Sequence, residues 1–110
     1  MKALVYEEYC KKTAEGAPDD DYKKILQVKE IDDPKPKPDE VVFKVKAAAL
    51  NYNDIWGMRG EPVPVPLPHV SGSDAAGDVI AVGDEVLNIK VGDRVVSHSN
   101  MSCRVCEACT

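Results

Sequence analysis

At 110 residues the chain is sized for one domain with a modest core, and 14 basic against 19 acidic side chains leave a net charge of −5. No cluster of Lys or Arg stands out, so no nucleic-acid partner is expected. No apolar run approaches a membrane span and Met1-Lys2 is not followed by an export signal, so the expected location is the cytoplasm, with no membrane partner.

Met1–Tyr6 is apolar and β-prone and predicts a first strand. Lys11–Lys24 (KKTAEGAPDDDYKK) carries Gly16, Pro18 and a run of aspartates, which predicts a solvated loop over a functional acidic patch. Ile25–Ile31 predicts a second strand, and its charges place it at a sheet edge. Asp32–Asp39 has proline at alternating positions, which removes donors and blocks helix, so it predicts an extended connector. In Glu40–Ala49, Phe43, Val45 and Ala47 alternate with Lys44 and Lys46, the pattern of a half-buried strand.

Asn51–Gly60 predicts a short helix, with Asn51 or Asn53 as its cap and Gly57 or Gly60 as its end. Glu61–Leu67 is again extended by prolines, and His69–Asp74 leads into Ala75–Val96. That last stretch reads as two strands joined by a tight loop. Val79, Ile80 and Val82 form the first apolar run, Gly83-Asp84 ends it, and Gly92-Asp93 turns the chain into Arg94-Val95-Val96. Gly77, Gly83 and Gly92 punctuate these segments as turn residues able to take positive φ, a small-barrel signature.

Three of the four cysteines form the C-x-x-C-x-x-C run Cys103, Cys106 and Cys109. Two-residue spacers let thiolates converge on one cation, and structural zinc takes four such ligands. An iron–sulfur run or a redox-active pair uses similar spacing. Cys10 stands alone and reads as a small structural residue.

The spacing G-D-V-x-x-V-G-x-x-V-x-x-x-x-x-G-D-x-V over residues 77–95 resembles the medium-chain dehydrogenases and reductases, the zinc-type alcohol dehydrogenase superfamily. The Met-Lys-Ala start is similar too. The resemblance is to their N-terminal catalytic domain. It implies a mainly β fold, a GroES-like partly open barrel with one or two short helices. Such enzymes carry a doubly wound nucleotide-binding domain after this part, and no G-x-G-x-x-G follows a strand here. The expectation is therefore one domain over residues 1–110, cut within the structural-zinc lobe, with the nucleotide-binding domain absent and the chain alone inactive.

The resemblance also locates a site. The zinc-dependent branch places a catalytic cysteine three residues before an aspartate, which maps onto Asn51 and Asp54, and a Gly-His-Glu motif, which maps onto Gly72-Ser73-Asp74. A neutral amide and a hydroxyl are poor zinc ligands. The strings Asn51-Tyr52-Asn53-Asp54-Ile55-Trp56 and Gly72-Ser73-Asp74-Ala75 are instead similar to zinc-free quinone oxidoreductases, enoyl thioester reductases and the crotonyl-CoA carboxylase/reductase group. The cysteine triple is more usual in zinc-containing branches.

These resemblances imply an NAD(P)H-dependent reductase of activated carbon–carbon double bonds. Asn51, Tyr52 and Asn53 would act as catalytic hydrogen-bond donors; Trp56, Ser73 and Asp74 would bind substrate. The competing assignment makes Asn51 and Asn53 helix caps and Trp56 core. Implied cofactors are a structural zinc on Cys103, Cys106 and Cys109, its fourth ligand missing, and NADP(H) or NAD(H). Implied partners are a small-molecule substrate, a CoA thioester or quinone, and further copies in a homodimer or homotetramer. His69 lies near the second motif and is a candidate to rescue a metal site, but its offset is wrong for a ligand, so it and His98 read as loop or core histidines. The alternatives are a zinc-dependent alcohol dehydrogenase-type enzyme and a stand-alone GroES-like zinc-binding scaffold.

Overall fold

The structure is a computed structural model and describes residues 1–10, 22–103 and 105–109. Strand β1 (Lys2–Tyr6) is the centre of a three-stranded sheet, flanked by β2 (Gln27–Glu30) and β4 (His69–Val70). A second sheet places β5 (Asp74–Val82) between β3 (Val41–Ala49) and β6 (Arg94–Val96). All strand pairs are antiparallel, and the two sheets do not close on one another. Among the described residues two short helices, α1 (Tyr22–Ile25) and α2 (Tyr52–Arg59), complete the mainly β fold.

The core lies beside the first sheet. Tyr6, Cys10, Ile25 and Met58 are buried together, with Tyr22, Leu26, Ile55 and Val65 packed against them. Tyr6 comes from β1 and Met58 from α2, so the helix is held against the sheet by apolar burial, worth about 1.5–3 kcal/mol for each large side chain. A main-chain bond from Cys10 N to Met58 O (2.8 Å) reinforces the contact.

Several sequence expectations need correction. Ile25 belongs to α1 and only Gln27–Glu30 forms the second strand, at a sheet edge as expected. Most of the polar stretch Lys11–Lys24 lies outside the described residues, but Tyr22–Lys24 is helical. The alternation expected of β3 fails beyond Phe43: residues 44–49 are all exposed, Val45 by 55%. The register explains part of this. Between Val42/Phe43 and Val45/Ala47 the pairing with β5 slips, leaving Ile80 on one strand and Lys46 on the other as extra residues. Each bulge shifts which face the following side chains present.

The glycines also act differently from expectation. Of the three, Gly92 alone has a positive φ, of 94°. Gly77 and Gly83 are required for room: a Cβ at either would stand 2.0 Å from a backbone oxygen, that of Lys44 or of Lys37.

Candidate functional site

The site is built on the start of α2. Asn51 has extended backbone (φ −141°, ψ −175°) and caps the helix, its side-chain oxygen accepting from Asn53 N at 2.9 Å. Asp54 completes a capping box by accepting from Asn51 N at 2.9 Å. Gly60, in the left-handed region at φ 68°, closes the other end.

The same side chains reach across to the segment between β4 and β5. The second oxygen of Asp54 accepts from Gly72 N at 2.7 Å and from Ser71 Oγ at 3.2 Å. Asn51 Nδ2 donates to Asp74 Oδ2 at 2.8 Å. From the opposite side Ser97 Oγ accepts from Ala75 N at 3.0 Å and donates to Ser73 O at 3.1 Å. The backbone around Ser73 is thereby fixed from two directions.

These segments enclose a cavity of about 190 Å³ lined by Tyr6, Asn53, Val65, His69, Ser73 and Asn100 among others. Of the residues singled out in the sequence, Asn53, Asp54, His69 and Ser73 line it, and Asn51 and Asp74 bond to each other beside it. Tyr52 and Trp56 lie elsewhere. Their rings meet edge to face at 5.3 Å on an exposed helix surface, the i, i+4 pairing of a helix face.

Sequence reasoning missed the lining residue Tyr6 and read the lining residue His69 as a loop or core histidine. They are register partners across the β1–β4 pair, and their ring centroids are 5.3 Å apart. Strand pairing at this distance in sequence has no local signal, and the offset of His69 from the Gly72-Ser73 motif argues against a ligand role without revealing its place in the cavity. Burial first, then the acids Tyr9, Asp54 and Cys10, raises the Tyr6 pKa above the usual phenol value.

The cysteine run forms its own cluster. The Sγ atoms of Cys103, Cys106 and Cys109 all lie within 4.8 Å of one another, and all three side chains are exposed. Tetrahedral zinc with bonds of about 2.3 Å separates its sulfurs by about 3.8 Å, so the triple fits such an ion after slight closure. The main-chain N–H of Val105, then that of Cys106, then the two neighbouring thiols lower the Cys103 pKa to about 6.

The family profile of the alcohol dehydrogenase GroES-like domain matches residues 37–110. The chain belongs to this family. A crotonyl-CoA carboxylase/reductase of Cereibacter sphaeroides is 43% identical over 91 residues, which are 77% of this chain and 20% of that protein. Alcohol dehydrogenase 1 of Emericella nidulans is 37% identical over 86 residues, 76% of this chain and 25% of that protein. The crystal structure of an NAD-dependent alcohol dehydrogenase superposes with a TM-score of 0.80 at 38% identity, over 99% of this chain and 29% of the other. The chain thus spans about a quarter or less of the curated relatives it matches.

Within this GroES-like domain the two metal positions differ in chemistry. At the position that the resemblance assigns to a catalytic zinc ligand, the Asn51 amide is committed at its oxygen to Asn53 N and at its nitrogen to Asp74. Ser73 adds a neutral hydroxyl, so the donor set does not fit a catalytic zinc. The thiol triple does fit a structural one. In the metal-free protein, alkylation of Cys103 by iodoacetamide is expected to rise with pH through a midpoint near 6, where the thiolate forms. Zinc should suppress the reaction. A midpoint above pH 8 would show that the Val105 and Cys106 N–H groups do not hold the sulfur. No helix among the described residues is long and apolar enough to cross a membrane.

Proposed function

We propose that this domain is the substrate-binding part of a cytoplasmic NAD(P)H-dependent reductase acting on activated carbon–carbon double bonds, of enoyl-thioester or quinone type, without a catalytic metal. The observation that carries this reading is the double commitment of the Asn51 amide, to Asn53 N and to Asp74. A side chain so held is a hydrogen-bonding element of the site.

When bound, a reduced nicotinamide would supply the hydride. The domain's own residues hold the substrate carbonyl. Asn53 and Ser73 line the cavity with an amide and a hydroxyl, both able to donate. As the double bond is reduced, negative charge gathers on that carbonyl oxygen, and preoriented donors stabilise it. The bonds from Asp54 and Ser97 keep the Ser73 backbone from shifting as the charge develops. Val65 and Tyr6 give the cavity an apolar side for the carbon chain. In this reading Cys103, Cys106 and Cys109 hold a structural zinc with a fourth ligand from elsewhere, and the enzyme assembles as a homodimer or homotetramer.

The test is an assay of the full-length gene product with NADPH and crotonyl-CoA or a benzoquinone, set against ethanol with NAD⁺. Double-bond reduction is expected, and replacing Asn53 or Ser73 by Ala should lower kcat/KM by about 10²-fold. Zinc-dependent alcohol oxidation with no double-bond reduction would overturn the proposal. That outcome belongs to the second reading, a zinc-dependent alcohol dehydrogenase-type enzyme, which is supported by a cysteine triple more usual in the zinc-containing branches.

A further inference from the structure

We infer that His69 is the acid that protonates the α-carbon of the reduced substrate. The inference rests on the reductase reading above and adds the proton donor that such a reaction needs.

The cavity is lined by three titratable side chains, Tyr6, Asp54 and His69, and among the described residues no lysine or arginine lines it. Asp54, from α2, already accepts through both oxygens, from Asn51 N, Ser71 Oγ and Gly72 N. Tyr6, from β1, is 1% exposed, and burial keeps the proton on its phenol. His69 is half-buried and shares the lining with Asn53 and Ser73, the residues proposed to hold the carbonyl. Imidazole is the side chain suited to giving and regaining a proton near neutrality.

The placement of His69 is also fixed. Its strand pairs with β1, putting His69 opposite Tyr6 and Val70 opposite Val5, and Ser71 N donates to Leu4 O at 2.8 Å. The Tyr6 ring packs against the imidazole at 5.3 Å with a 51° tilt. A catalytic acid on a paired strand, with one ring face held, meets the requirement that proton donors be positioned before reaction.

The step balances as follows. The β-carbon takes a hydride from a reduced nicotinamide, forming a C–H bond, while the π pair moves to give an enolate. The carbonyl then re-forms and the α-carbon takes the proton of the His69 imidazolium. The broken N–H bond leaves its pair on the ring nitrogen, and solvent reprotonates the ring. The double bond gains two electrons and two hydrogens, and the nicotinamide is oxidised.

The full-length gene product, with NADPH and crotonyl-CoA in D₂O, should give a product deuterated at the α-carbon on one face only. His69→Gln should lower kcat by about 10²-fold and scramble that deuterium between faces. His69→Phe, which keeps an aromatic ring against Tyr6, should lose as much rate, separating acid chemistry from packing. Without any nucleotide, crotonyl-CoA should shift the His69 ring NMR signal. Wild-type rate with single-face deuteration in both variants, or an unmoved ring signal, overturns the assignment while leaving the reductase reading standing. If the wild type reduces no double bond, both fall.

Discussion

Gly77→Ala is expected to destabilise the domain by about 3 kcal/mol, the upper end of overpacking costs, and to lower its yield as folded protein. Gly77 is buried in the central strand of the second sheet, paired with Val45 on one side and Val95 on the other. An added Cβ would sit 2.0 Å from Lys44 O, 2.8 Å from Lys44 C and 2.9 Å from the Phe43 ring. The first two are backbone atoms of a paired strand, so relief requires the β3–β5 ladder to separate. Gly83→Ala should cost as much, because its Cβ would meet Lys37 O and Pro38 O at 2.0 and 2.3 Å. Gly92→Ala is the control. Nothing lies within 4 Å of its Cβ, so it bears only the strain of φ 94°, about 1–2 kcal/mol. Urea unfolding of the three variants checks this. A Gly77→Ala midpoint no lower than that of Gly92→Ala would mean that the strands are not so closely paired.

Asp54→Ala should cost about 2 kcal/mol of stability and, in the full-length gene product, about 10²-fold in kcat/KM. The carboxylate takes hydrogen bonds from the first residue of the helix cap and from Ser71 and Gly72 across the site. Removing it leaves the N–H groups of Asn51 and Gly72 without that acceptor and frees the Ser71–Ser73 backbone from α2. Misplacing Ser73 by about an ångström is enough for the kinetic loss. Asp54→Asn keeps one acceptor oxygen and should recover part of both effects. An Asp54→Ala variant with full activity and an unchanged unfolding midpoint would show that the helix and the loop are held together by other contacts.

Legibility in the sequence follows how local each cause is. The limits of α2 were readable because the capping signals, Asn51 with Asp54 and then Gly60, act within a few residues. The strands β5 and β6 were readable from apolar runs bounded by glycines. The alternation expected in β3 failed because bulges at Ile80 and Lys46 are set by pairing between strands, which periodicity alone does not report. Gly77 and Gly83 were noticed for the wrong reason: a glycine needed for room and one needed for φ look alike in a sequence. At the site, the Asn51–Asp74 bond joins positions 23 residues apart and the Tyr6–His69 contact joins the first strand to the fourth. Motif spacing brought Asn51, Ser73 and Asp74 to attention; His69 is four residues from Ser73 in the chain, and only folding set it against Tyr6 in the cavity lining.

The profile match begins at residue 37, yet the cavity wall includes Tyr6, from the strand before that boundary. A Cβ added at Gly57 would stand 2.8 Å from the Tyr6 hydroxyl, so position 57 admits nothing larger while Tyr6 is in place. A lineage can therefore reshape the chamber by paired change at positions 6 and 57 while every signature string that marks its kinship stays intact. Selectivity in such proteins can drift out of step with ancestry.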